Sequence, residues 1–218
     1  MTDAHQMALA QQVDAVFAHH PELSGADHRQ RFPWLTGALG NPQTPIWFLA
    51  ENPSLSKVEQ ATDPIEDAPT IQAQWWAGKG DKLFRELLVK YGFKNGTIDS
   101  HDGWNCYITN VIKEADYAER WRGSPSERLR QAALTWAPVL QWQLEVGKPR
   151  LIVALGKTVE GIVNQLKRSG MRFPEIKRIH HYSYIAHRAN GERGPMHPDR
   201  VREYDEQFAD IAMISIET

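Results

Sequence analysis

Side chains capable of chemistry stand near the ends of three short segments that are otherwise apolar or β-prone. Glu51 and Asn52 follow the first segment, Asn110 ends the second, and His181 and Ser183 lie near the end of the third. An amide offers both a hydrogen-bond donor and an acceptor, and an imidazole can donate a hydrogen bond to an oxygen that gains negative charge. A carboxylate can act as a general base. These groups could therefore bind a polar ligand and assist the cleavage of one of its bonds.

Strands and helices that alternate along the sequence must position these side chains. Apolar or β-prone runs predict strands at 45–50, 104–110, 151–155 and 176–185. Periodicity and capping signals predict helices at 4–20, 81–92, 124–147, 157–170 and 199–214, with a kink or break near Pro138 in the third. This alternation favours an α/β fold, a three-layer sandwich with a central, mainly parallel four-stranded sheet flanked by helices. In such sheets the ligand site lies beyond the carboxyl ends of the strands, where the three polar groups would meet.

Length and composition favour a single folded domain. The chain has 218 residues, of which 41% are hydrophobic and 24% are charged, so it can bury a substantial core. We expect one domain over 1–218, with an N-terminal helix and loop over 1–44 and an α/β core over 45–218. No apolar run could span a bilayer and no export signal is visible, so we expect a cytoplasmic protein. A single cysteine, Cys106, excludes an internal disulfide and a cysteine-only metal or iron–sulfur site within one chain.

The distribution of charge is uneven. The net charge of −2 gives no reason to expect a nucleic-acid partner. Between Arg172 and Arg202, however, seven lysines and arginines stand against three acidic residues, together with four of the nine histidines. Such a basic segment is either a solvated face or a contact for an anionic partner, and composition leaves both alternatives open.

The histidines of this basic segment could also form a metal site. The candidates are His180, His181, His187 and His197. The sequence places no pair of carboxylates nearby at ligand spacing, so the pattern favours a site without a metal ion. An unrelated α/β hydrolase or nucleotidase that uses these histidines with a metal is therefore one alternative.

Four segments, taken in order, resemble the motifs of the uracil-DNA glycosylase superfamily. They are Ala50-Glu51-Asn52-Pro53-Ser54, Trp76-Ala77-Gly78-Lys79-Gly80-Asp81-Lys82-Leu83, Tyr107-Ile108-Thr109-Asn110-Val111-Ile112-Lys113 and His181-Tyr182-Ser183. No single segment is specific, but the presence of all four in this order over 45–190 argues against coincidence. In motif order the chain is most similar to family four, the iron–sulfur type.

The sequence departs from family four at the cluster ligands and in two motifs. That family holds its cluster with four cysteines, whereas this chain has one and shows Glu114 and Trp136 where ligand cysteines would stand. The resemblance therefore implies a relative without the iron–sulfur cluster, and we expect no cofactor. Asn52 stands where family four has alanine, as in the mismatch-specific and single-strand-selective branches, and Tyr182 replaces a proline.

The resemblance implies a monofunctional DNA glycosylase. Such an enzyme flips uracil, or another deaminated base, out of the stack, because the glycosidic bond is unreachable inside the duplex. It then hydrolyses this N-glycosidic bond and leaves an abasic site for base-excision repair. The implied partner is DNA that contains uracil or a related damaged base, and we expect a monomer without membrane contact.

The resemblance also implies roles for the residues that would surround the base. Asn110 would read the edge of the base, Trp76 would stack on it, and Ser183 would orient the loop. His181 would donate a hydrogen bond to the O2 atom of the base as negative charge develops there. Asn110 and Trp76 each have a structural alternative, as a cap of the strand end and as a core residue.

The first motif would hold the attacking water. Asn52 would position this water without a charge, and Glu51 would act as its carboxylate partner or cap the turn. Because an amide is a poor general base, an enzyme that relies on Asn52 alone would be slow. Ser54 lies where the main branch has a tyrosine that crowds out the thymine methyl, and its small side chain would not exclude thymine.

The loop after the last motif would contact DNA. Its bulky and basic side chains are Tyr184, Ile185, His187, Arg188 and Arg193. The first four would enter the gap left by the flipped base, while Arg188 and Arg193 would hold the flanking phosphates. This gives the basic segment a function. The departures described above keep one alternative open, a catalytically weak or inactive member that binds damaged DNA or a nucleotide.

Overall fold

The structure is a computed structural model that describes residues 3–23, 36–54, 79–100, 102–116, 126–186 and 196–217. Its helices are α1 (Asp3–His19), α2 (Lys79–Lys90), α3 (Ser126–Gly147), α4 (Lys157–Arg168), α5 (Tyr182–Ala186) and α6 (Pro198–Glu217). Its strands are β1 (Leu39–Gly40), β2 (Ile46–Ala50), β3 (Tyr107–Asn110), β4 (Leu151–Leu155) and β5 (Glu175–Ile179). Every predicted helix and strand has a counterpart among these elements. Within the described ranges, no helix has the length and hydropathy needed to cross a membrane.

The strands form one sheet in the order β1-β3-β2-β4-β5. β2 runs parallel to β3 and β4, and β4 runs parallel to β5. The edge strand β1 runs antiparallel to β3. The α/β fold with a central, mainly parallel sheet flanked by helices is thus confirmed, although the sheet has five strands instead of four. β1 could not be predicted, because two residues carry no periodicity.

Helices cover both faces of the sheet and create two apolar clusters. From β2, Trp47 and Leu49 enter the cluster beside α1, α3 and α4, whereas Phe48 enters the cluster beside α2 and α6. There the Phe48 ring lies 5.6 Å from the ring of Phe84 and 5.7 Å from the ring of Phe208. All residues of β2 and β4 are buried, which explains why these runs are apolar throughout rather than alternating.

The last predicted strand, 176–185, is wrong beyond residue 179. β5 ends at Ile179, and residues Tyr182–Ala186 form the short helix α5. The chain turns there because the His181 imidazole accepts a hydrogen bond from the backbone N–H of Ser183, an arrangement that caps the start of a helix. Histidine is not among the usual capping residues, so the sequence pattern does not indicate this turn.

The long helix α3 is continuous through Pro138, so the predicted interruption does not end the helix. Pro138 is exposed, and the next residue, Val139, is buried in the core. The first two residues of the predicted helix, 124 and 125, lie outside the described residues.

Candidate active site

The ends of β2 and β3 bring the first two polar groups side by side. Ala50 and Asn110 are register partners at the carboxyl end of the sheet. Pairing continues beyond the strands, because the N–H of Ile112 donates to the carbonyl of Glu51 over 2.9 Å. The first motif and the segment after Asn110 therefore run together past the edge of the sheet.

Asn110 is held under a glycine that the sequence pattern does not identify. Its side chain is buried, with 8% of the residue exposed. A Cβ atom at Gly37 would lie 2.5 Å from Oδ1 of Asn110 and 2.9 Å from Cγ of Pro53. Gly37 also has a φ of +65°, a conformation that favours glycine. The loop before β1 can cover the amide because residue 37 has no side chain.

The first motif combines a carboxylate with an amide. Glu51 and Asn52 are half-buried, and burial raises the pKa of Glu51 above its usual 4.5. Nδ2 of Asn52 donates to the carbonyl of Pro53 over 3.1 Å, which leaves Oδ1 as an acceptor. Ser54 is half-buried and forms a β-bridge with Asp116. The Glu51 carboxylate and the Asn52 amide oxygen can both accept hydrogen bonds, as the binding of a water molecule requires.

Hydrogen bonds fix the tautomer of His181. The backbone N–H of Ser183 donates to Nδ1 of His181 over 3.1 Å, and the Ser183 hydroxyl lies 2.7 Å from the same nitrogen. A ring nitrogen that accepts an N–H carries no proton, so the neutral ring has its proton on Nε2. Burial lowers the pKa of His181 to about 4. At neutral pH the imidazole is therefore an uncharged donor through Nε2.

Two neighbours hold the His181 ring in place. Gly156, at the end of β4, has a φ of +93°, and a Cβ atom there would lie 3.1 Å from Cβ of His181. On another side, the ring of Tyr182 lies 4.1 Å from the imidazole and 5.5 Å from the ring of Phe84 on α2. Tyr182 thus joins the histidine to the core.

An exposed aromatic side chain projects from α5 close to this histidine. Tyr184 is 46% exposed. Its ring stacks on His180 at 4.9 Å, and the guanidinium of Arg200 lies 4.5 Å from its centroid. His180 is also paired with Glu203, with 2.7 Å between Nε2 and Oε1. The tyrosine is thus supported by a cation and an imidazole while part of its surface faces solvent.

The residues predicted to contact DNA have different positions. Ile185 is 1% exposed and belongs to the core cluster beside α2 and α6, so its side chain does not extend from the surface. This burial corrects its prediction as a DNA-contacting residue, and Tyr184 is the side chain that α5 presents. Four other candidates lie outside the described residues: Trp76, which was predicted to stack on the base, and the predicted DNA-contacting residues His187, Arg188 and Arg193.

The structure brings the described polar residues to one edge of the sheet. Glu51, Asn52 and Asn110 lie at the ends of β2 and β3, and His181 with Ser183 follows β5 on the far side of β4. In the described part of the chain, no group of three or more histidine, cysteine or acidic side chains is placed to hold a metal ion.

Comparison with known families adds an independent finding. The family model described as the Uracil DNA glycosylase superfamily matches residues 38–208. The match covers more than half of the chain, contains every predicted site residue and begins after α1. None of the curated proteins matches this chain.

Proposed function

Because the chain belongs to the uracil DNA glycosylase superfamily, we propose that it is a monofunctional DNA glycosylase. Its substrate is uracil, or another deaminated base, in DNA. The enzyme flips the base out of the stack, hydrolyses the N-glycosidic bond and leaves an abasic site for base-excision repair. Membership of the superfamily supports DNA glycosylase activity, and the geometry of the site supports the residue roles given below.

The fixed tautomer of His181 is the observation that carries the proposal. When the bond between C1′ and the base nitrogen breaks, the electron pair leaves with the base and the sugar gains positive charge. A neutral imidazole donates its Nε2–H to O2 of the departing base, where the negative charge develops. One preorganised donor of this kind lowers a barrier by about 3–4 kcal/mol. Ser183 orients the ring and thereby decides which nitrogen donates.

The base is read by Asn110. Its amide presents a donor and an acceptor, which match the O4 and N3–H edge of uracil. Gly37 leaves the amide little room to turn, because a single added carbon would lie 2.5 Å from Oδ1. We assign the stacking surface to Trp76. The small side chain of Ser54 leaves space for a substituent on the base.

The first motif activates water. Oδ1 of Asn52 orients the water molecule. The water oxygen bonds to C1′ of the sugar, and Glu51 accepts the proton that the water releases. Burial raises the pKa of Glu51, so the required carboxylate is lost when the pH falls through this raised value. The rate should therefore increase with pH above 4.5, and Glu51→Gln should abolish this increase. If Glu51→Gln retains full turnover, Glu51 only caps the turn.

The partner surface lies around α5. We propose that Tyr184 enters the gap left by the flipped base, since it is exposed and supported by Arg200. His187 and Arg188 would enter the same gap, and Arg188 with Arg193 would hold the flanking phosphates. Arg200 would add positive charge beside the DNA strand that carries the flipped base.

The test is single-turnover release of uracil from a labelled duplex with one U·G pair. The reaction is run in chelator, and alkali converts abasic sites to strand breaks. We expect cleavage by the wild type and a loss of about 100-fold or more in His181→Ala. Asn52→Ala should also be slow, because its water is no longer oriented. Retained activity in both variants would contradict the assigned roles, and loss of activity in chelator would favour the metal alternative.

A catalytically weak or inactive member that binds damaged DNA or a nucleotide is the second candidate. The presence of Asn52 favours it, because an amide cannot take the proton from water. The same duplex distinguishes the candidates. A glycosylase releases more uracil than there is enzyme, whereas a binding protein retains the uracil strand stoichiometrically and leaves its bond intact.

A further inference from the structure

A chain of buried polar side chains lies beside β3 and reaches the backbone of Asn110. We call it the Lys113 chain, and its members are Lys113, Thr109, Gln143, Tyr107 and His5. None of them is more than 9% exposed. The chain joins β3 to Gln143 on α3 and to His5 on α1. Burial of polar groups is costly unless they are hydrogen-bonded, so the partners of each group show what the chain holds.

The hydrogen bonds begin at the end of β3 and continue into α3. Nζ of Lys113 donates to the carbonyl of Asn110 over 2.5 Å and to Oγ1 of Thr109 over 2.7 Å. Nε2 of Gln143 lies 3.2 Å from the same hydroxyl and donates to the Tyr107 hydroxyl over 2.8 Å. Lys113 is therefore hydrogen-bonded to the last two residues of the strand, and Gln143 links Thr109 and Tyr107 to α3.

Burial of Lys113 disfavours the charged form of its amine. The residue is 1% exposed, and burial moves the pKa of its amine well below 10.5. Among the described residues, no carboxylate lies within ion-pair distance of Nζ. In either protonation state the amine has at least two hydrogens to donate, and the strand end provides two acceptors for them.

A second buried lysine provides a comparison. Lys94 is also 1% exposed, and its Nζ donates to the carbonyls of Ser100 and Asp102, each over 2.7 Å. It precedes β3 and holds a loop at the other end of the strand. The two lysines are thus alike in burial and bonding, but only Lys113 contacts a residue of the candidate site.

We propose that Lys113 is a positioning residue that fixes the direction in which the amide of Asn110 points. Successive side chains of a strand point to opposite faces, so Thr109 faces the lysine while the Asn110 amide lies under Gly37. Lys113 is hydrogen-bonded to the carbonyl of Asn110 and thereby fixes the backbone from which the side-chain amide projects. The inference rests on the proposed role of Asn110 in reading the base.

The other end of the Lys113 chain reaches the N-terminal helix. Nε2 of His5 lies 3.4 Å from the Tyr107 hydroxyl, and its ring stacks on Trp142 at 5.5 Å. The family match starts at residue 38, so α1 precedes it. A helix outside the matched region therefore contributes to the support of β3.

The experiment compares Lys113→Met, Lys113→Gln and the matched control Lys94→Met. For each folded variant, duplex affinity and single-turnover uracil release are measured separately. We expect Lys113→Met to slow release about 100-fold, because a misplaced reading group disturbs the reacting geometry, while affinity changes less than about threefold. Lys113→Gln should recover most of this loss, because its amide still donates to the Asn110 carbonyl. Lys94→Met should match the wild type in rate.

A second measurement keeps this inference separate from the proposed function. The side-chain amide signals of Asn110 are recorded by NMR and assigned with Asn110→Ala. We expect these signals to shift or broaden in Lys113→Met and to remain unchanged in Lys94→Met. Unchanged signals in a folded Lys113→Met overturn the inference, as does a wild-type release rate. If the wild type releases no uracil, the proposed function fails while the NMR signals still decide the inference. If Lys113→Met does not fold, Lys113→Gln and Thr109→Val undergo the same measurements.

Discussion

Two polar side chains of the candidate site, those of His181 and Asn110, are restrained by neighbours that take no part in the proposed chemistry. Ser183 selects the tautomer of His181, and Gly37 limits the orientation of the Asn110 amide. Such restraint matters because donors stabilise a transition state most when they need no reorganisation during the reaction. Activity at this site should therefore depend on these neighbours as well as on the polar groups.

A substitution at Gly37 tests this dependence. Gly37→Ala should reduce uracil release by more than about tenfold, since the new Cβ would displace the reading amide. The control is Gly92→Ala. Gly92 also has a positive φ, +75° against +65°, but its Cβ would meet nothing within 4 Å. Both variants carry the strain of a positive φ, Gly37→Ala should lose more stability in urea unfolding because its Cβ also clashes, and only Gly37→Ala should lose activity. Equal activity in the two variants would show that the amide tolerates displacement.

The sequence predicts the types of the site residues better than their surroundings. Glu51 follows a strand and Asn110 ends one, and apolar or β-prone runs reveal both strands, so their place at the sheet edge could be predicted locally. Gly37 could not, because its role depends on a contact with a residue far away in the sequence. Ile185 was assigned to the DNA surface by its neighbours in the sequence, whereas its position on α5 turns it into the core.

At the scale of elements, the sequence predicts the bounds of buried segments better than those of exposed segments. β4 has the predicted bounds of 151–155, because its residues are all buried and the whole run is apolar. β5 lies at the edge of the sheet and has exposed charged residues, so its end at Ile179 leaves no clear signal. The site histidine stands just beyond that end, where the sequence pattern carries little information.

The helix α1 is an integral part of the core although it precedes the family match. Leu9 and Val13 are fully buried in the cluster with α3, and the ring of Phe17 lies 5.2 Å from that of Trp136. The predicted helix at 4–20 is therefore confirmed, and its apolar residues pack into the core. Loss of this helix would expose apolar surface and also remove His5 from the Lys113 chain.

A matched pair of substitutions on α1 measures this contribution. Leu9→Ala should lower the free energy of unfolding by about 2–5 kcal/mol, because it removes buried methyl groups and leaves a cavity. Met7→Ala, two residues away on the same helix, should change it by less than about 0.5 kcal/mol, since Met7 is 61% exposed. Urea unfolding at pH 7 provides both values. A small effect of Leu9→Ala would mean that α1 does not pack stably against α3.

At the scale of the whole molecule, folding makes two imidazoles harder to protonate than they are in the unfolded chain. Burial lowers the pKa of both His5 and His181 from 6.5, the latter to about 4. They lie in different parts of the fold, one on α1 beside β3 and the other beyond β5. The site gains a neutral donor, and the molecule becomes less stable in acid because charging either ring opposes burial.

The pH dependence of stability therefore tests the charge state on which the proposed chemistry rests. Between pH 6.5 and about 4, the unfolded chain binds a proton at His181 that the folded chain does not bind, so acid favours unfolding. Across this range, the wild type should lose up to about 1.4 kcal/mol per pH unit relative to His181→Gln. The exposed His19, replaced by glutamine, is the control and should follow the wild type. A constant difference between wild type and His181→Gln would mean that folding does not lower the pKa of His181 from 6.5, and the imidazole would then be a cation below that pH.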